Sequence, residues 1–127
     1  MFLLDTHVWA WALTGDKRLS APAIQKMDQS ADLFLSAVSF YEVTQKVRLG
    51  KWPEMAAHAD NLAELALQQS IFIAPVSAEI AISAGRLAWD HRDPFDRHLA
   101  ATARLFGLDL ISADRVFDSL PDLRRIW

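Results

Sequence analysis

The 127-residue chain is 52% hydrophobic, with four glycines, five prolines and no cysteine. That composition suits one compact domain over residues 1–127 and excludes disordered, disulfide-stapled and thiolate-metal proteins. Thirteen Lys and Arg against 16 Asp and Glu give a net charge of −3, so bulk positive charge does not recruit nucleic acid here.

Residues 2–5 read as a first buried strand, followed by a short helix through Val8, Trp9 and Leu13 that stops near Gly15. Ser20 or Ala21, ahead of Pro22, opens a second helix to about Gln29. Leu33 to Ser36 is a second strand. From Ser39 the apolar residues Phe40, Val43 and Val47 recur at helical spacing until Gly50. Trp52-Pro53 begins a longer Ala/Leu-rich helix to about Gln69, forming a helical hairpin with its predecessor. Ile71 to Ala74 is a third strand, and Ser77 caps a helix through Ile80, Ile82 and Leu87. Asp93-Pro94-Phe95-Asp96 starts a helix running to Gly107; Leu108 to Ser112 is a fourth strand, and Arg125 to Trp127 a short last one. Strands alternating with helices predict a parallel α/β sheet covered on both faces.

Within that frame four carboxylates, Asp5, Glu42, Asp96 and Asp114, stand just past an apolar run or in the first turn of a predicted helix. Residues beyond the carboxyl ends of parallel strands converge on one crevice. Clustered carboxylates repel, and protonation or bound cations relieve them. Singly, each acid also has a plainer role. Ser39-x-x-Glu42 and Asp93-x-x-Asp96 both match a capping box, the commoner use of such a motif, and Asp114 fits a turn cap before Phe117. Four acids at the same end of one sheet are harder to explain as caps. They suggest a magnesium or manganese site for phosphodiester chemistry.

Thr6 and Ser39 are candidate hydrogen-bond donors to these acids, and Arg97 flanks them. His7, His58, His91 and His98 lack zinc-site spacing, and His91 reads as part of a solvated loop. Trp9, Trp11, Trp52 and Trp89 are able to stack bases, although packing is the default use of tryptophan. Asp5 and His7 interrupt the apolar start, no basic residue precedes it, and no run approaches the ~18 apolar residues of a membrane span. The expectation is a soluble, cytoplasmic protein with no membrane association.

These segments resemble the PIN-domain family. Leu3-Leu4-Asp5-Thr6-His7 looks like its opening, and Ser36-Ala-Val-Ser39-Phe-Tyr-Glu42 like its second acidic segment. His91-Arg-Asp-Pro-Phe-Asp96-Arg-His-Leu-Ala-Ala-Thr-Ala103 looks like the third, and Leu110-Ile-Ser-Ala-Asp114 like the fourth. The length is similar to that of VapC-like toxins. The resemblance implies a three-layer α/β/α sandwich with a mainly parallel sheet and a Mg2+- or Mn2+-dependent endoribonuclease. It assigns Asp5, Glu42, Asp96 and Asp114 as ligands, with Asp93 left as a cap or outer-sphere contact. It also implies a cognate antitoxin, an RNA substrate and a homodimer. The antitoxin is expected in an apolar groove near the Phe40–Gln69 hairpin, and exposed Trp9, Trp11 and Trp52 are expected to drive self-association.

Two other readings compete. A phosphotransfer domain also uses a strand-end Asp, but the phosphatase pattern needs a second Asp where His7 stands. A receiver needs a late Lys, and none follows Lys51. A non-catalytic PIN-fold binding module is the remaining alternative.

Overall fold

Five short parallel strands form the sheet of the computed structural model, which describes residues 1–30 and 32–127. Strand β1 (Phe2–Leu4) leads into helices α1 (Thr6–Thr14) and α2 (Ala21–Gln29). Strand β2 (Leu33–Ser36) leads into α3 (Ala37–Arg48), a 3-10 helix over Pro53–His58 and α4 (Leu62–Gln68). Strand β3 (Phe72–Ala74) precedes α5 (Ala78–Arg86) and α6 (Pro94–Phe106). Strand β4 (Asp109–Ile111), a 3-10 helix over Arg115–Ser119 and β5 (Arg125–Ile126) come last. The spatial order is β3-β2-β1-β4-β5, every neighbouring pair parallel.

The period of two along a strand divides the core between the faces. Leu4 lies in register with Leu35 and Ile111, and all three pack under α1–α4 with Val8, Trp9, Val43, Met55 and Ala66. One residue earlier, Leu3 lies in register with Phe34 and Leu110, on the face covered by Leu99, Ala100 and Ala103 of α6 and by Phe117. The alanines of α6 bring its axis close to the sheet, and Ala101 on its outer side carries Ile80 and Ala84 of α5. The result is the expected three-layer α/β/α sandwich. Gly15 and Gly107 end α1 and α6 in the left-handed region, at φ 65° and 64°.

Three local expectations are corrected. The long helix after Trp52 is broken into the 3-10 turn and α4, because Asp60 and Asn61 fall between them and Asn61 takes a non-helical φ of −137°. Helix α3 starts two residues earlier than Ser39: Ser36 is its cap, accepting from the Val38 N–H, and Ser39 is buried within the first turn. Trp9 and Trp52 are not surface aromatics. Trp9 is fully buried, its indole N–H donating to Gln69 Oε1 at 2.9 Å, and Trp52 is 8% exposed. Only Trp11 of that trio is half-buried.

Candidate functional site

The chain leaves β1 toward β2 and β3 on one side, then crosses to β4 and β5 on the other. The carboxyl end of β1 is therefore the point where the strand order reverses, the usual ligand crevice of an open parallel sheet. Asp5 stands there, its N–H bonded to Ile111 O at 3.0 Å across the β1–β4 seam. Glu42 is delivered one turn into α3, after β2, and Asp96 in the first turn of α6. Both helices point their amino ends toward this edge.

The three carboxylates form one electrostatic group. Asp5 is 6% and Glu42 4% exposed. Burial pushes the Asp5 carboxyl upward and the charge of Glu42 adds to it, while the Ser112 hydroxyl, donating to Asp5 Oδ2 at 2.6 Å, and His7 oppose the rise. Asp96 is pushed up to about 7, first by burial and then by the charges of Asp93 and Asp5, against the pull of His91. Each acid has one close partner: Ser112 on Asp5, the Lys46 ammonium on Glu42, and His91 Nε2 on Asp96 Oδ2 at 2.6 Å. The His7 backbone N–H also pulls the Asp5 carboxyl down, less than Ser112 does.

The remaining positions divide differently. Asp93 caps α6, its Oδ1 accepting from the N–H groups of Phe95 at 2.8 Å and Asp96 at 3.3 Å. Asp114 is exposed; its carboxylate caps the Arg115–Ser119 turn through Val116 N–H at 3.0 Å, and its charge acts on Arg125. Thr6 and Ser39 share a buried hydroxyl–hydroxyl bond of 2.8 Å that ties α1 to α3. Arg97 is spent elsewhere. Its five N–H donors serve carbonyls of Ala84, Gly85, Leu87, Trp89 and His91, taking up the open end of α5 and fixing the loop that carries His91. Sequence reasoning missed Ser112, Lys46 and the role of His91. Ser112 ends β4 as Asp5 ends β1, and Lys46 lies four residues after Glu42, so both had a readable signal.

The sequence matches the PIN domain family over residues 2–123. The chain is a PIN-domain protein. No curated protein matches it by sequence. Among solved structures, FitAcB from Neisseria gonorrhoeae is similar with a TM-score of 0.73 at 21% identity, covering 100% of this chain and 97% of that one. VapBC2 from Rickettsia felis bound to a promoter DNA fragment gives 0.69 at 15% identity, covering 98% and 96%. The sarcin–ricin loop cleaving toxin VapC20 of Mycobacterium tuberculosis gives 0.65 at 22% identity, covering 94% of both chains. At these identities the likeness is one of fold.

The donor set of this PIN domain fits a hard divalent cation. Asp5, Glu42 and Asp96 offer only carboxylate oxygens and are largely removed from water; the charge of Glu42 raises the proton affinity of Asp5, and that of Asp5 raises Asp96's. Among the described residues, the ligand atoms that lie within 4.8 Å of one another are those of His91, Asp93 and Asp96; Asp5 and Glu42 stand outside that set, and Asp96 links it to them electrostatically. The imidazole is a softer donor than the carboxylate oxygens and is already bonded to Asp96. Among the described residues, no helix is long and apolar enough to cross a membrane.

Proposed function

We propose that this PIN domain is a magnesium- or manganese-dependent endoribonuclease and the toxin of a toxin–antitoxin pair. The observation that carries the reading is the convergence of buried Asp5 and Glu42 and half-buried Asp96, from three separate elements, at the reversal of strand order. These three are assigned as the metal ligands. A divalent ion held there supplies an activated water and charge stabilisation for the leaving oxygen of a phosphodiester. The Lys46 ammonium pairs with Glu42, and His91 hydrogen-bonds Asp96, which eases the crowding of the three acids. Asp114 acts at one remove: its N–H donates to Ser112 Oγ at 3.0 Å, leaving the Ser112 hydrogen aimed at Asp5.

The partner reading is an antitoxin, together with self-association of the domain and a cytoplasmic location. Exposed Tyr41, Leu49 and Leu67 mark the stretch where the antitoxin segment is proposed to dock. A groove lined by Ile82, Leu87, Leu105 and Leu120 contains none of the three acids. The test is direct: mixed RNAs are incubated with purified protein and manganese, then with EDTA. Cleavage that stops on chelation and on addition of the neighbouring gene product supports the reading; cleavage indifferent to EDTA rejects it.

A further inference from the structure

Beside the acidic crevice lies a second, smaller pocket of about 280 Å3, built by α1, the turn after it, the end of α3 and the start of the following 3-10 helix. Its wall is aromatic. His7 stacks on Trp52 with ring centroids 4.7 Å apart and planes at 26°, and Trp11 leans on His7 at 5.9 Å. Its rim is cationic: Arg18 lies over Trp11 at 4.9 Å, Lys46 over Trp52 at 5.4 Å, and Lys51 completes the lining. Glu54 is the one acid lining it; Arg18 is also forked by Asp16 at 2.8 Å and Lys46 is paired with Glu42, so Lys51 is the lining cation without an ion pair among the described residues. Aromatic faces with an available ammonium beside them suit a planar anionic ligand.

The pocket is continuous with the acids. His7 follows Asp5 by two residues and acts on its charge, and Lys46 is both a rim residue and the partner of Glu42. Flat aromatic faces with cations above them bind planar π-systems joined to phosphates, the pattern of single-stranded nucleic-acid platforms. The volume lies at the lower end of small-ligand sites, room for one nucleotide rather than a helix.

We infer that the pocket of His7, Trp11, Trp52, Arg18, Lys46 and Lys51 is a nucleotide subsite, seating one base and its phosphate next to the cleavage crevice. It rests on the nuclease reading only for its role, since binding there needs no metal. A strand whose base is held on Trp11 and His7 carries its backbone past Lys46 to the acids, so the subsite sets which nucleotide flanks the cut.

The test follows the indole N–H signals by NMR in EDTA during titration with nucleoside monophosphates. The Trp11 and Trp52 signals are expected to move while those of buried Trp9 and distant Trp89 stay; ribose 5-phosphate, which lacks a base, is expected to bind about tenfold more weakly. Trp11→Ala, and Arg18→Ala on the exposed rim in case the first variant folds poorly, should each weaken nucleotide binding several-fold. On randomised RNA with manganese, Trp11→Ala should raise KM about tenfold and flatten base preference at one position beside the cut. Unmoved Trp11 and Trp52 signals, or shifts indifferent to both substitutions, overturn the subsite even if RNA is cleaved. Shifts produced by an acidic peptide and not by nucleotides assign the pocket to a protein and also overturn it. Nucleotide shifts in a protein that cuts no RNA uphold the subsite and reject the nuclease reading instead.

Discussion

The two sides of the crevice use their acids in opposite ways. On the β1, α3 and α6 side, Asp5, Glu42 and Asp96 are buried or nearly so, and two of them are held above the ordinary carboxylate range. On the β4 and β5 side, Asp114 caps a turn and Asp118 is forked by Arg125 at 2.7 and 2.9 Å, which holds it below that range. Acids of the second kind are satisfied where they stand. Those of the first kind are left with a raised proton affinity that a proton or a cation relieves, which is the physical difference between a structural carboxylate and one poised for a metal.

The sharpest way to break this contrast is Asp5→Asn. Asn retains an acceptor for the Ser112 hydroxyl but removes the buried charge. Cleavage of RNA is expected to fall at least about 100-fold, as for loss of one preorganised charge in an active site. Melting in EDTA should match or exceed wild type, while the gain from millimolar manganese disappears through linkage. A variant that melts lower in EDTA yet gains as much from manganese would place Asp5 with the structural acids.

A second measurement uses pH. Asp96 has a folded-state value of about 7 against an ordinary 3.8, so between these values the native state binds more protons than the unfolded chain. Stability in EDTA is therefore greatest near pH 4, declines as pH rises toward 7 and levels above it. Asp5, also raised, contributes in the same direction. Asp16, lowered to about 2, acts only below this window. The ceiling for Asp96 alone is about 4 kcal/mol, and since its carboxyl is partly exposed the observed change should be smaller. Asp96→Asn should flatten the slope, and manganese should invert it, because the metal competes with the proton. A flat profile for the wild type in EDTA would remove the electrostatic basis of the contrast.

The third asks how the poised side is held. Arg97→Ala leaves carbonyls of α5 and the Leu87–His91 loop without their donor, at a cost of about 2–3 kcal/mol. The decisive readout is His91: released from its loop, it should lose its 2.6 Å bond to Asp96, seen as displaced imidazole resonances in NMR. Unchanged His91 resonances would show that α6 alone fixes the pair.

Much of this was legible in advance, for identifiable reasons. The strands were readable because both faces of the sheet are covered, which leaves uninterrupted runs such as Phe2-Leu3-Leu4 and Leu33-Phe34-Leu35. Pro22 and Pro94 fixed two helix starts through their missing N–H. The start of α3 was misplaced because Ser36 and Ser39 are chemically equal caps; burial of Ser39 against Thr6 decided between them, and burial is a tertiary fact. The same holds for Trp9 and Trp52, whose number in a small chain suggested exposure until the α1–α4 layer proved able to enclose them. Arg97 looked like a partner for Asp96 from proximity in sequence, but one helical step turns it toward the end of α5.

Asp114 should show the smallest effect and tests the satisfied side directly. Its carboxylate makes one cap bond in an exposed 3-10 turn, and its N–H orients Ser112. Asparagine caps about as well as aspartate, so Asp114→Asn should change stability by no more than a few tenths of a kcal/mol. Asp114→Ala loses the cap and should cost about 0.5–1 kcal/mol, the low end for an exposed turn. Neither change touches the backbone N–H, so the Ser112 bond to Asp5 survives in both. Cleavage should then stay within about threefold of wild type, less than 1 kcal/mol of transition-state stabilisation. Asparagine is the informative variant because it separates charge from cap. If Asp114→Asn keeps full stability but loses cleavage as severely as Asp5→Asn does, its negative charge reaches the metal, and the satisfied side of the crevice is catalytic after all.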